Sequence, residues 1–493
     1  MSIQDLTIKE ASELLRRRKV SSRELTESAL DRIRRENGRI NAFITVCDDL
    51  ALSQADAADK RLAGGDGASP LCGVPMGIKD SICTRGVRTT CASRMLEQFV
   101  PPYNATAVES LLASGSVLLG KLNMDEFGMG SSSEFSIFGS VKNPWDTGRV
   151  AGGSSGGPAA AVASGLCCFA LGSDTGGSIR QPASFCGVVG LKPTHGLISR
   201  YGLVAYAPSL DQIGPITSDV TDCALVLDAI AGHDPRDPTS ANREGEDYSQ
   251  GLNRDKLPIR VGLPREYFGP ELNKDVKNAV FKAVSMLEEA GSSTGEVSFP
   301  STEHAISAFY LISSAEASTS LGRYDGIRFG YRKTGAKDLE ELYQLSRSEG
   351  FGREVKRRIL FGTHALSAVY RDKLYNKALR IRRMIARDFS EAFESFDVIV
   401  APAYPETAFR MGEKTGNPLK MYLGDIYNVG ANLAGLPALV VPCGLDRRGL
   451  PIGIQLIGKP FSEKLLLRAG YAIEKRVGRL RPPRAGEESS EGG

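Results

Sequence analysis

Residues 151–158 read Ala-Gly-Gly-Ser-Ser-Gly-Gly-Pro, and residues 171–178 read Leu-Gly-Ser-Asp-Thr-Gly-Gly-Ser. Of the 28 residues from Ala151 to Ser178, eight are Gly and five are Ser. Glycine lets backbone N–H groups approach a ligand closely, and it loses more conformational freedom on folding than any other residue. Two Gly-Gly loops carrying Ser therefore point to a place where backbone donors and hydroxyls converge. Between them, Pro158 suits the first position of a helix and Gly165 its C-terminal cap. The apolar run Cys167 to Leu171 predicts a short buried strand. The stretch reads loop, helix, strand, loop, with Ser154 before the helix and Ser178 in the second loop.

Working outward, the same α/β alternation continues. Gly73 to Ile82 reads as a buried strand with one lysine, Lys79. Val108 to Ser114 reads as a helix, Val117 to Gly120 as a strand, and Asn123 to Ser140 as a Gly- and Ser-rich loop. Upstream, Thr7-x-x-Glu10 and Ser21-x-x-Glu24 are capping-box patterns that each open a helix, followed by a strand over Asn41 to Val46 and a polar Gly-rich connection at about 62–70. Downstream, Asp219 to Ala231 and Asn273 to Ala290 read as helices, residues 233–257 as a surface loop, and Ile259 to Leu263 as a strand. Residues 301–396 are patterned almost wholly as helix, and Val398 to Ala401 and Leu439 to Val441 return to β. Alternating strands and helices imply an α/β fold with a mixed sheet covered on both faces. The expectation is one large domain over 1–480, with the helical stretch at about 301–396 inserted where it walls a substrate pocket. The Pro-, Gly- and Glu-rich segment 481–493 has the composition of a disordered tail.

Bulk properties remove several classes. The chain has 493 residues, 41% of them hydrophobic, and a formal net charge of +3. That balance is too even for a protein that wraps nucleic acid, and the basic runs at 16–19 and 356–358 read as solvated helix faces. No apolar run reaches transmembrane length, and the N-terminus lacks the pattern of a signal peptide. The nine Cys include no CxxC pair and have no His at ligand spacing. They predict reduced thiols, a cytoplasmic setting and no metal site.

Hydroxyl nucleophiles need a base, and the chain has four His, at 195, 233, 304 and 364. Only His195 lies near the Gly-rich core in sequence, and it reads as structural. Gly152-x-Ser154-x-Gly156 matches a nucleophile elbow in form, but an elbow needs a strand running straight into it. The residues before it, Asn143 to Gly148, read as a turn. A phosphate-binding P-loop fails because Pro158 stands where Lys is required. Lys79 is the better base candidate, since desolvation disfavours an ammonium and lowers its pKa. The alternative is a lysine that reaches water at the strand end or pairs with Asp80. The second loop, Asp174 to Ser178, precedes a predicted helix from Ile179, and unpaired N–H groups at a helix start suit an oxyanion.

Three motifs in order resemble the amidase signature family: Gly77-Ile78-Lys79-Asp80, Gly152 to Gly157, and Gly172 to Arg180. The spacings are 75 residues from Lys79 to Ser154 and 24 from Ser154 to Ser178. The resemblance implies Ser178 as nucleophile, Ser154 as a bridging serine at a cis peptide bond, and Lys79 as base. It places an oxyanion hole at the backbone of Thr175, Gly176, Gly177 and Ser178. Pro158 departs from the family's usual small residue. Within the family the chain is most similar to the A subunits of tRNA-dependent amidotransferases, through residues 124–132, 209–215, 315–318 with 325–328, 355–358, 421–425 and 432–437. That likeness implies hydrolysis of glutamine, with Arg358 on its carboxylate, Asp425 on its ammonium, and an aromatic wall at Tyr310, where Phe309 replaces the commoner Tyr. It further implies B and C subunits in a heterotrimer, mischarged Glu-tRNA(Gln) as the acceptor, ATP and Mg used by a partner, and no cofactor in this chain. Two rivals remain at the level of sequence: a free-standing amidase on other small amides, and a non-catalytic subunit that binds nucleotide through the Gly-rich loops.

Overall fold

The computed structural model describes residues 5–65, 69–243, 246–254, 256–483. The outer part of the expected tail, 484–493, and small pieces of the expected loops at 62–70 and 233–257 lie outside the described residues. Among the described residues eleven strands form one sheet: β1 (Phe43–Val46), β2 (Pro75–Lys79), β3 (Val117–Leu122), β4 (Phe169–Asp174), β5 (Val189–Lys192), β6 (Gln212–Thr217), β7 (Arg260–Pro264), β8 (Ser293–Val297), β9 (Val398–Pro402), β10 (Ala438–Leu445) and β11 (Pro451–Gly458). Their order is β1-β3-β2-β4-β6-β5-β10-β11-β9-β7-β8. β2 runs parallel to both β3 and β4, while β6, β5, β10, β11 and β9 pair antiparallel in succession. The sheet is mixed, as the alternating pattern predicts.

Both faces are covered. Along β3, Leu118 enters one apolar cluster, while Val117 and Leu119 enter the other, the two-residue alternation of a pleated strand buried on both sides. One cluster takes in the helices Thr106–Ala113, Val220–Ile230 and Glu463–Val477; the other takes in Ser22–Ile40, Gly156–Ala163 and Arg180–Cys186. Both N-terminal capping boxes are formed, with Thr7 and Ser21 each accepting from the backbone three residues on. The helix Ile8–Arg16 is further tied down by Asp222, which accepts from the N–H of Ile8 at 2.7 Å.

Three local expectations shift. The helix after Ser154 begins at Gly156, so Pro158 sits at its third position, where the missing N–H still falls in the first turn and removes no intrahelical bond. The strand expected at Cys167 to Leu171 runs from Phe169 to Asp174, because its polar end is buried against partners that the local sequence does not reveal. The region 301–396 is helical over Ala305–Ser320, Leu339–Gly350, Arg353–Leu366 and Tyr375–Ser395, but Tyr324 to Asp338 contain no helix.

Within that region the helices Ala305–Ser320 and Arg353–Leu366 make the most extensive helix–helix contact of the fold. They cross so closely that a side chain on Gly362 would run into the carbonyl of Ser314. Gly362→Ala is expected to force the helices apart and to lower stability by about 1–3 kcal/mol, the usual range for overpacking a close contact. Chemical denaturation of the purified variant measures it, and an unchanged midpoint would contradict the close crossing.

Candidate active site

β2 and β4 are parallel neighbours, so their C-terminal ends emerge side by side. β2 ends at Lys79, and β4 ends at Ser173 and Asp174, which lead into the second Gly-rich loop. The Lys79 side chain is wholly buried. Its amine meets the hydroxyls of Ser154 at 2.8 Å, Ser155 at 2.8 Å and Ser173 at 3.0 Å, and the Ser173 carbonyl at 3.2 Å. Burial takes its pKa down to about 7, against the opposing pull of the Asp125, Asp174 and Asp211 charges. The pairing with Asp80 that the sequence left open is not made. The Asp80 carboxylate turns away to accept from Thr90 and lies 3.9 Å from the second buried lysine, Lys121.

The Gly153–Ser154 peptide bond is cis. Ser154 and Ser178 are joined through the chain, with the N–H of Ser155 donating to the Ser178 carbonyl at 3.0 Å. Among the described residues nothing bonds the Ser178 hydroxyl, and Ser178 lines a small, partly open pocket.

The loop from Asp174 to Ser178 is held from beneath. Asp174 accepts from the N–H groups of Gly177 at 2.9 Å and Ile179 at 3.0 Å, so it caps the helix Arg180–Cys186. It forms a fully buried ion pair with Arg180, 3.0 Å from two guanidinium nitrogens. Arg180 in turn donates to Gln455 and Asn432, each at 2.5 Å, and to the Asn428 carbonyl at 3.1 Å. Burial alone would raise the Asp174 pKa, but the Arg180 charge and these hydrogen bonds hold it well below the usual carboxylate range. This corrects one expectation: the Gly177 N–H is taken by Asp174, so it is not a free oxyanion donor. Thr175, Gly176 and Ser178 also line the pocket, and among the described residues their N–H groups have no backbone partner. Phe309 packs its ring against Gly176 and closes that side.

The far end of the pocket is charged. Arg358, read from sequence as part of a solvated basic run, is buried. Its guanidinium donates to Glu354 at 2.8 Å and to the Tyr206 hydroxyl at 2.5 Å, and it lies 4.9 Å from the Tyr310 ring centre and 5.2 Å from that of Tyr422. Asp425 accepts from the hydroxyls of Tyr310 at 2.8 Å and Ser131 at 3.0 Å. Burial raises its pKa to about 6, opposed by those two bonds and by Arg358. One small cavity thus joins a free serine hydroxyl, three backbone donors, a cation and an anion, with the Lys79 amine behind it bonded to the Ser154 hydroxyl. His195 lies elsewhere, bonded to the Pro208 carbonyl.

The amidase sequence profile matches residues 24–467. The chain belongs to the amidase family. It is 55% identical over 475 residues to the A subunit of the glutamyl-tRNA(Gln) amidotransferase of Caldanaerobacter subterraneus subsp. tengcongensis, an alignment covering 96% of this chain and 97% of that one. It is 56% identical over 485 residues to the protein of the same description from Desulforudis audaxviator, covering 98% of each. Among solved structures, the A subunit of the glutamyl-tRNA(Gln) amidotransferase of Thermotoga maritima superposes with a TM-score of 0.80 at 40% identity, covering 97% of this chain and 96% of that one.

Several residues of this amidase's pocket escaped the sequence reading. Ser155 and Ser173 complete the oxygen cage around Lys79, and both lie inside the quoted motifs. Glu354 frames Arg358 from one turn earlier on the same helix, an i,i+4 pair, while Tyr206 and Tyr422 come from two separate segments that no local pattern marks. Asp211, which accepts from Thr175 Oγ1 at 2.6 Å and from the Tyr206 N–H at 2.9 Å, ties the loop to that frame.

Proposed function

We propose that this chain is the glutamine-hydrolysing A subunit of a tRNA-dependent amidotransferase. The observation that carries the reading is the placement of Arg358 and Asp425 at one end of a small pocket and Ser178 at the other. A guanidinium suits a carboxylate and a carboxylate suits an ammonium, so the charged end fits an α-amino acid and leaves its side-chain amide near Ser178. Tyr310 holds Asp425 and faces Arg358, and serves as the wall between them.

The chemistry follows from the proton path. Neutral Lys79 takes a proton from Ser154 as Ser154 takes one from Ser178, and the Ser178 oxygen attacks the amide carbon. Negative charge on the former carbonyl oxygen falls to the N–H groups of Thr175, Gly176 and Ser178. The proton returns through Ser154 to the leaving nitrogen, ammonia departs, and an ester to Ser178 remains. Water, deprotonated by the same relay, releases glutamate and regenerates the serine. The ammonia passes to B and C subunits of a heterotrimer, where a partner using ATP and Mg activates the glutamate of Glu-tRNA(Gln). No metal or cofactor enters the hydrolysis. The setting is the cytoplasm; among the described residues no helix is long and apolar enough to cross a membrane.

The direct test is Ser178→Ala in the purified complex. Glutamine hydrolysis is expected to vanish, while Glu-tRNA(Gln) amidation continues when free ammonia is supplied. Persistent glutamine hydrolysis would remove Ser178 from the mechanism.

The Lys79 assignment makes a pH prediction with a definite sign. The base is active when neutral, and its pKa is about 7. The glutamine kcat/KM, which reports the free enzyme, should therefore rise with pH to a plateau above about 7. Below about 6 it should fall more steeply, as Asp425 gains a proton and ceases to hold an ammonium. Lys79→Arg should be inactive across the range because a guanidinium keeps its proton. An active Arg variant would mean that the residue serves only as a cation.

The clamp is tested by comparing two substrates. Arg358→Ala and Asp425→Ala each leave a desolvated charge without its partner, a loss of roughly 2–5 kcal/mol in binding. Glutamine KM should rise steeply in both, with little change in turnover of butyramide, which carries neither charge. Parallel losses on both substrates at unchanged thermal stability would favour a general amidase.

A further inference from the structure

The segment that follows β3 carries two buried acidic residues whose side chains hold different parts of the site. Asp125 faces the serine end. Its carboxylate accepts from the N–H groups of Ser133 at 2.9 Å and Phe135 at 3.1 Å, and its own N–H donates to the Ser154 carbonyl at 3.3 Å. Glu126 faces the opposite way. It is 4% exposed. Its two oxygens accept from the N–H of Gly352 at 2.9 and 3.1 Å, and one accepts from the Ser93 hydroxyl at 2.5 Å. Burial pushes its pKa up to about 7, while the Ser93 and Gly352 bonds pull the other way and favour the ionised form.

Gly352 is the N-cap of the helix Arg353–Leu366 and has no side chain with which to cap it. The first N–H groups of a helix lack internal partners and carry its positive end. Glu126, 226 residues away in sequence, supplies the acceptor for the Gly352 N–H, beside the carboxylate that Glu354 already places in the first turn. Arg358 leaves this same helix, less than two turns on, to form the charged end of the pocket. Two residues after Glu126, Gly128 packs beside Ser154, where an added Cβ would stand 3.7 Å from the Ser154 hydroxyl. One short segment is therefore fastened to the reacting end by Asp125 and to the binding end by Glu126.

We propose that Glu126 is a positioning residue for substrate binding, fixing the N-terminal end of the helix Arg353–Leu366 so that Arg358 stands at a set distance from Ser178. The inference rests on the assignment of Arg358 to the substrate carboxylate. A helix whose N-terminus is released spends part of its time with Arg358 displaced, and apparent affinity falls by the fraction of molecules left competent. Once glutamine is bound, the reacting groups are unaltered, because the Glu126 carboxylate is bonded to Ser93 and Gly352 and not to Lys79, Ser154 or Ser178. The signature is a KM effect without a kcat effect.

The experiment compares Glu126→Gln, Glu126→Asp and Arg358→Ala in the intact complex, with glutamine and butyramide as substrates and thermal unfolding as a check. Gln keeps the shape but loses the charge and one acceptor; Asp keeps the charge but is one methylene too short to reach Gly352. Each Glu126 variant is expected to raise glutamine KM about tenfold, with kcat within about twofold and butyramide turnover unaffected. Unchanged KM in both Glu126 variants, alongside a raised KM in Arg358→Ala, overturns the positioning role and leaves the clamp standing. Unchanged KM in Arg358→Ala overturns the clamp and this inference with it. A parallel loss on glutamine and butyramide marks Glu126 as a structural residue only and also overturns the proposal.

Discussion

The site is organised around one constraint: an amine held entirely out of water at the end of a central strand. A charged lysine is unfavourable there, and a neutral one needs acceptors and donors within reach. Four oxygens from Ser154, Ser155 and Ser173 supply them. That cage dictates much else. β2 and β4 must end together, the helix Gly156–Ala163 must start just after Ser155, and the loop from Asp174 must be held rigid enough to keep Ser173 in place. The buried Asp174–Arg180 pair does the last. Such pairs are weak evidence for stability, and removing one partner is strongly destabilising. Here both ions have their remaining hydrogen-bonding positions met by Asn432, Gln455 and backbone, so the pair's role is to fix the loop's shape.

The parts of this architecture that sequence discloses are those with a local cause. Capping boxes at Thr7 and Ser21, the apolar runs of β2, β3 and β9, and the Gly-Gly loops were all readable, because neighbours along the chain determine them. The register of β4 was not. Gly172, Ser173 and Asp174 look like loop, and they form strand because Gly214, Ile213 and Gln212 of β6 pair with them and Lys79, distant in sequence, meets Ser173. β6 and β11 carry Pro and Gly that argue against strand locally, yet neighbouring strands impose pairing on them.

The site divides in the same way. Lys79, Ser154 and Ser178 stand in compact motifs and could be named with their spacing. Arg358 and Asp425 could be named only through resemblance, since by pattern alone the first belongs to a basic helix face. Tyr206, Tyr422 and Glu126 gave no signal of these roles, because each acts through contacts that exist only after the sheet and the helices of 305–395 have packed; Glu354, one helical turn before Arg358, is readable as its i,i+4 partner. The Gly177 correction is of the same kind: a backbone donor at a loop looks free until the carboxylate that claims it is located.

The stacked pair Tyr310 and Tyr422, with ring centres 3.9 Å apart, makes the two charges of the pocket parts of one object. Tyr310 donates to Asp425 while lying over Arg358; Tyr422 donates to Glu354, which grips Arg358. A molecule bearing only one of the two complementary charges would enter this network and leave the other half desolvated and unanswered. Discrimination then comes from what an incomplete ligand fails to satisfy, a source that rejects near-misses far more strongly than a loose fit does. On the proposed reading of the clamp, a pocket of this design is selective by exclusion, favouring a zwitterion over amines, acids and simple amides.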